Sequence, residues 1–247
     1  MNIVVCSDAH LDHTTAGVSR FAEIERGMLE AAAHASRIAA DAFVFAGDLC
    51  DPDSGPVVLR CARVAVHIAH ALERADIPSL WLAGNHDVAH DGNGTTSLSP
   101  LHAIAEVYDV PGIATGRHDW SHDLLMLPHV SGAIDYSARV RELAAIATKP
   151  LVIFSHLTIP GIDPGEESTE MPRGAERTLP IEAIEALPQV ACVISGHYHE
   201  RASYFLKGGR ACVGNPGAQI ELHVVGSLAR LTFGEERHRP GYIVVEV

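Results

Sequence analysis

Leu80-Trp81-Leu82-Ala83 runs directly into Gly84-Asn85-His86-Asp87. Four apolar residues bounded by a turn residue read as a buried strand, and the strand ends in an amide, an imidazole and a carboxylate. The same junction recurs four more times. Ile3-Val4-Val5-Cys6 leads to Ser7-Asp8-Ala9-His10, and Phe43-Val44-Phe45-Ala46 leads to Gly47-Asp48-Leu49-Cys50-Asp51. Leu151-Val152-Ile153-Phe154 leads to Ser155-His156, and the run from Val190 to Ile194 leads to Gly196-His197-Tyr198-His199. Each alone could be a capped turn. Five in order, supplying Asp, His and Asn, point to a two-metal centre that cleaves phosphoesters.

Around these junctions the pattern predicts strand 2–6, helix 17–40, strand 42–46, helix 56–75, strand 79–83 and a polar loop 88–97. Val57, Val58, Cys61, Val64, Ala65, Ile68 and Leu72 carry the second helix at helical spacing. Pro56 suits its first turn. A helix 98–107, short strands 112–115 and 123–127, a helix 137–147 and a strand 151–155 follow. A long Gly-, Pro- and Glu-rich stretch, 157–180, is read as a functional loop or a surface excursion. The end reads as strands 190–195, 202–206, 210–213, 228–233 and 241–247, with Lys207-Gly208-Gly209 as a hairpin turn. Strand–helix alternation followed by hairpins implies an α/β fold, a mixed sheet or sheet pair with helices outside.

Composition bounds the rest. The chain has 247 residues, 47% of them hydrophobic, enough for one large domain or two small ones with a full core. No apolar run reaches the roughly 18 residues of a membrane span, so no membrane association is expected. The N-terminus enters a strand without a leader pattern, which leads to an expected cytoplasmic location. The five cysteines form no disulfide framework and suit a reducing compartment. A net charge of −13, from 18 basic and 31 acidic residues, argues against a broad basic face for nucleic acid. It does not exclude a nucleic-acid enzyme, because two divalent cations would bring positive charge to the phosphate. Of the 16 histidines, His34, His67, His70, His102, His118, His122, His129, His223 and His238 lie in helical or loop contexts without a ligand pattern. They are read as ordinary surface or core residues.

The chemistry follows from residue type. Asp8 and His10, two apart at a strand end, would share a face and reach one ion. Asp48 could bridge two cations with its two oxygens. Asn85 offers an amide oxygen, and His156, His197 and His199 offer imidazoles. A mixed N/O set without thiolate suits Mn²⁺, Fe²⁺ or Zn²⁺ better than Ca²⁺ or Mg²⁺ alone. Cys50 is read as buried rather than ligating. Two cations would acidify a bridging water and clamp the phosphoryl oxygens. His86, beside a ligand but surplus to the ligand count, is the general-acid candidate. Asp87 is read as a group that orients or charge-stabilises it. The glycines at 47, 84 and 196 fit sharp strand exits with close backbone approach.

The five blocks, D-x-H, G-D-x-x-D, G-N-H-D, a lone H and G-H-x-H, resemble those of the calcineurin-like metallophosphoesterase superfamily across residues 8 to 199. That resemblance implies a four-layer α/β/β/α sandwich of two mixed sheets flanked by helices. It also implies a ligand split, with Asp8, His10, Asp48 and His199 on one ion and Asp48, Asn85, His156 and His197 on the other. The string Gly226-Ser227-Leu228-Ala229-Arg230-Leu231-Thr232-Phe233-Gly234-Glu235-Glu236, with Pro240-Gly241-Tyr242-Ile243-Val244-Val245-Glu246-Val247, resembles the strands that close the nuclease domain of SbcD-type double-strand-break repair exonucleases. This implies a Mn²⁺-dependent DNA exo- or endonuclease, an ABC-type coiled-coil ATPase partner and dimer formation. Residues 1–247 are expected to form a single nuclease-like domain, with no segment that reads as a capping domain or ATPase-binding extension.

Two alternatives stand beside this reading. One is a phosphodiesterase for cyclic nucleotides or other small diesters, to which Val213-Gly214-Asn215-Pro216-Gly217 is equally suited. The other is a non-catalytic scaffold, which would be expected to have lost ligands, and none is missing. A serine/threonine protein phosphatase is disfavoured, because Asp51 is followed by Pro52-Asp53 rather than Arg-Gly and Asp87 stands where such enzymes have Glu.

Overall fold

The computed structural model describes residues 1–89, 95–162, 177–214 and 220–247. In chain order the strands are β1 (Asn2–Cys6), β2 (Thr14–Thr15), β3 (Val18–Ser19), β4 (Ala42–Phe45), β5 (Ser79–Leu82), β6 (Glu106–Tyr108) and β7 (Gly112–Ala114). Then come β8 (Asp123–Leu127), β9 (Leu151–Ser155), β10 (Val190–Ser195), β11 (Ala202–Lys207), β12 (Arg210–Cys212), β13 (Ile220–Val224) and β14 (Ile243–Glu246). The helices are α1 (Phe21–Ile38), α2 (Val57–Arg74), α3 (Tyr136–Ala144) and α4 (Ile181–Glu185).

Two mixed sheets carry the fold. One has the order β14-β1-β4-β5-β6 and the other β12-β11-β13-β10-β9-β8-β7. In the first, β1, β4, β5 and β6 run parallel and β14 closes the edge antiparallel to β1. In the second, β8, β9, β10 and β13 run parallel, with β7 and β11 antiparallel at their sides. Parallel neighbours need crossovers, and α1 and α2 provide them in the first half.

Strand alternation sorts the side chains into three apolar interfaces. Val4, Cys6, Phe43, Phe45 and Trp81 face α1 and α2, meeting Ile24, Met28, Cys61 and Ile68. Ile3, Val5, Val44, Leu80 and Leu82 face the second sheet, meeting Leu124, Met126, Val152, Phe154 and Ile194. Leu125, Leu127, Ile153 and Val193 face α3 and α4, through Val140, Leu143 and Ile184. The layers are therefore helix, sheet, sheet, helix, as the resemblance implied.

Several local expectations are corrected. Helix α1 starts at Phe21, because residues 14–19 fold as the β2–β3 hairpin. The segment 98–107 holds only a 3-10 turn at Ser99–Leu101, and Glu106–Tyr108 becomes an edge strand beside β5. Residues 228–233 form no strand. The Leu231 carbonyl accepts from His13 and Thr15, and its amide donates to Glu235, which leaves no ladder to build. Strand β13 and helix α4 were not anticipated. Lys207 and Arg210 do pair across Gly208-Gly209. The polar loop at 88–97, the long stretch at 157–180 and Asn215-Pro216-Gly217 lie wholly or partly outside the described residues. Among those residues, no helix is long and apolar enough to cross a membrane.

Candidate metal centre

The parallel strands of both sheets point their carboxyl ends to one edge, where open α/β sheets place their sites. There the loops after β1, β4, β5, β9 and β10 interlock. Asp8 N–H donates to Gly47 O, Ala9 and His10 N–H donate to Asp48 O, and His197 N–H donates to Asp8 Oδ1. Two glycines permit this closeness. A Cβ at Gly47, whose φ is +104°, would stand 2.1 Å from His156 Nδ1, and one at Gly84 would stand 2.1 Å from Asp48 Oδ1.

The ligand backbones are strained. Among the described residues, the non-glycine residues with positive φ are Asp8, His10, Ala16, Ala39, Asp48, Asp76 and His197. Four of these are predicted ligands, and such outliers persist only where the surroundings over-determine them. Asp8 and His10 thus converge through left-handed turns beyond β1, with φ of 50° and 42°. They do not converge through the strand alternation expected from sequence.

The side chains meet in a chain of close contacts. His10 Nε2 lies 3.2 Å from His199 Nε2 and 3.6 Å from Asp48 Oδ2. Asp48 Oδ2 lies 3.1 Å from His156 Nε2, and Asp8 Oδ1 lies 3.9 Å from the same nitrogen. Asn85 Oδ1 is 3.0 Å from His197 Nδ1. Donor atoms of Asp8, His10 and His199 all fall within 4.8 Å of one another, as do those of Asp8, Asp48 and His156. Asp48 stands between the two groups, but with one oxygen rather than two facing the imidazoles, because Oδ1 accepts the His86 N–H at 2.8 Å.

Burial and charge explain why these groups call for cations. Asp8 and His156 are fully buried and Asp48 is 2% exposed. Among the described residues their ion-pair partners are one another and His10, with no lysine or arginine. Asp8 Oδ2 is buried without a hydrogen-bond partner, and His156 Nε2 faces only the carboxylates of Asp48 and Asp8; an orphaned buried acceptor is costly unless a ligand satisfies it. Burial pushes the Asp8 carboxyl up to about 7, against the pull of His156 and His199. Burial is the largest influence on His156 and opposes its charge, yet the Asp48 and Asp8 carboxylates and the Ala46 carbonyl together outweigh it and hold the imidazolium up to about 9. Burial drives His197 down to about 3. Imidazoles and paired carboxylates gathered in one dry cluster fit two divalent cations, which would take the place of the proton on His156.

His156 is oriented by donating Nδ1–H to Ala46 O at 2.7 Å, which leaves Nε2 for the centre. The His86 ring stands edge-on to His10, their centroids 4.9 Å apart. Asp87 has a task that was not expected. Its carboxylate is fully buried and accepts from the amides of Gly84, Asp48 and Leu49, each at 2.8 Å, and from the Ser97 hydroxyl at 2.5 Å. It ties the β5 loop to the β4 loop, and none of these four bonds involves the His86 ring.

Two residues at the site were missed by sequence reasoning. His129 follows β8, its amide donates to Ala83 O, and it lies within electrostatic reach of His156, Asp48 and His86. Burial, aided by His156, holds its imidazole down at about 4. The signal was present, since His129 also follows an apolar strand. Glu235 accepts from His199 Nδ1 at 3.0 Å, and no sequence pattern links the two. Cys50 is buried, as expected.

A family model described as calcineurin-like phosphoesterase matches residues 1–201. Comparison with curated protein sequences gave no match. Among solved structures, a dimetal phosphatase from Danio rerio is 11% identical with a TM-score of 0.53, over 92% of this chain and 87% of that one. TT1561 of Thermus thermophilus is 13% identical with a TM-score of 0.52, over 91% and 88%. A 5'-nucleotidase assignment from Staphylococcus aureus, solved with alpha-ketoglutarate, is 13% identical with a TM-score of 0.52, over 92% of this chain and 49% of that one. At such identities the likeness is one of fold.

Proposed function

The chain belongs to the calcineurin-like phosphoesterase family, and from that premise we propose that it is a dimetal phosphodiesterase whose substrate is DNA. The observation that carries hydrolysis is the convergence of Asp8, His10, Asp48, His156 and His199, with Asp8 Oδ2 left unsatisfied in a buried site. Asp8, His10, Asp48 and His199 would hold one ion; Asp48, Asn85, His156 and His197 would hold the other. Two divalent cations, when bound, supply Lewis-acid charge for the phosphoryl oxygens and an acidified water as nucleophile. Mn²⁺ is the proposed metal, with Fe²⁺, Zn²⁺ and Mg²⁺ as competitors in the assay.

The chain's own residues do the rest. Asp48 Oδ2 fixes the spacing between the His10 and His156 sides of the centre. His86, whose backbone is pinned to Asp48 Oδ1, keeps its ring beside His10 and delivers a proton to the leaving oxygen. Asp87 holds both loops in register through its buried acceptors. A DNA substrate, an ABC-type ATPase partner, a homodimer and a cytoplasmic location are proposed together, because the closing string 226–247 resembles that of repair nucleases and lies against His199.

The test is hydrolysis of end-labelled linear DNA with Mn²⁺ by the wild type and by Asp48→Asn, products resolved by length. Shortening or nicking by the wild type alone supports a nuclease, and the ladder gives polarity. Intact DNA alongside hydrolysis of a chromogenic diester would move the substrate to cyclic nucleotides or other small diesters. No hydrolysis of either would remove the function.

A further inference from the structure

We propose that Glu235 is a positioning residue of the metal centre: it holds His199 in the tautomer that presents Nε2 to the ion shared with Asp8 and His10. The inference rests on reading the cluster as a two-cation site. It adds a residue from beyond the 1–201 stretch that the family model matches.

The geometry is specific. His199 Nδ1 lies 3.0 Å from Glu235 Oε1, while its Nε2 lies 3.2 Å from His10 Nε2 in the group that contains Asp8. A carboxylate accepts only, so the nitrogen facing it carries the proton and the opposite nitrogen keeps its lone pair. Carboxylate–histidine–metal arrangements fix ring orientation and raise ligand basicity by this route. Both side chains are nearly closed to solvent, at 9% and 7% exposure, so water does not compete for the bond.

Glu235 is itself held in place. Its Oε2 accepts the Leu231 N–H at 2.6 Å, and Oε1 also receives the Thr232 hydroxyl at 3.4 Å. The Leu231 carbonyl is anchored by His13 Nε2 and the Thr15 hydroxyl, and the Ser227 N–H donates to His199 O at 3.1 Å. The turn bearing Glu235 is thus tied to the loop after β1, which carries Asp8 and His10, and to the backbone of His199. A carboxylate whose only task was to close its own turn would need Leu231 and Thr232 but would leave Nδ1 of a ligand histidine unused.

Two measurements decide the matter. The first is the tautomer of His199 in the metal-free wild type, read from nitrogen–proton correlations of the ring. Protonated Nδ1 with bare Nε2 is expected; protonated Nε2 would overturn the proposal whether or not any variant folds. The second is a Mn²⁺ titration of wild type and Glu235→Ala by calorimetry. The wild type should take two ions, and the variant should bind one of them about 10–100-fold more weakly, the usual effect of losing such a partner. A folded Glu235→Ala that takes both ions within threefold of wild type would overturn the positioning role. A wild type that takes no ion would instead overturn the two-cation reading, and the tautomer would still report on Glu235.

Discussion

Replacing Gly84 by alanine tests the centre where it has least slack. The added Cβ would stand 2.1 Å from Asp48 Oδ1, 2.6 Å from the Asp48 amide nitrogen and 2.8 Å from Asp48 Cγ. Gly84 has extended backbone, φ −95° and ψ −175°, so alanine meets no torsional objection and the effect is steric. Reaching an ordinary 3.4 Å contact requires about 1.3 Å of movement. Asp48 cannot yield freely, because Oδ1 is pinned by His86 N–H and the carboxylate is 2% exposed. Metal–ligand distances tolerate only about 0.2 Å, and a misplacement of roughly 1 Å costs about 10²-fold in rate. Overpacking should also destabilise by about 1–3 kcal/mol, lowering the melting temperature by roughly 2–12 °C for a chain of this size. Gly132→Ala is the control, since a Cβ there meets nothing within 4 Å, and it should stay within about 0.5 kcal/mol of wild type. The assays are bound Mn²⁺ by mass spectrometry, turnover of a chromogenic phosphodiester, and thermal melting. Two Mn²⁺ per chain and wild-type turnover in Gly84→Ala would refute the claim that Asp48 sits at a fixed, metal-linking position.

Three further outcomes follow from the site. Asp87→Ala leaves the buried amides of Gly84, Asp48 and Leu49 without their acceptor; at about 1–3 kcal/mol for each orphaned donor, it should abolish cooperative melting or lower it sharply, and a near-native melt would contradict the tying role. His86→Ala should keep both ions but slow diesters with poor leaving groups by about 10²–10⁴-fold, and equal slowing of an activated leaving group would argue for a structural effect instead. Metal uptake should release protons. His156 in the metal-free fold is held up to about 9, so this imidazolium stabilises the metal-free fold fully below its ordinary value near 6.5 and loses that effect as pH rises through about 9. An ion needs the neutral ring, so affinity should climb with pH until about 9 and then level. Calorimetric heats that do not depend on the buffer's ionisation enthalpy at pH 7.5 would contradict this.

The ligand blocks were legible because each combines an apolar strand with a short polar exit, a pattern local in sequence. The means by which they converge was not. Asp8 and His10 use left-handed backbones rather than strand alternation, and side-chain identity does not report φ for Asp or His. Ile220-Glu221-Leu222-His223-Val224 alternates as a half-buried strand should, and the structure buries Ile220, Leu222 and Val224; this signal was readable. The 98–107 segment carries helix-compatible residues, yet sheet pairing beside β5 takes Glu106–Tyr108, which local propensity cannot foresee. Asp87 looked catalytic because it adjoins His86, and only the loop packing shows its acceptors filled by backbone amides. Glu235 and His199 are 36 residues apart, joined by a turn with no repeat or motif of its own.

The pairing of β14 with β1 has a consequence for how the chain is made. Val4 pairs with Val244 and Ile3 with Val245, so β1 leaves the ribosome long before the β14 strand that covers its outer side. At about 5–20 residues per second the wait is on the order of tens of seconds. During it, the Asn2–Cys6 strand is an apolar edge with unpaired amides, a template for another chain. Loss of residues 243–246 would make that interval permanent, and the defect would appear first as aggregation during synthesis, ahead of any change at the metal-binding edge.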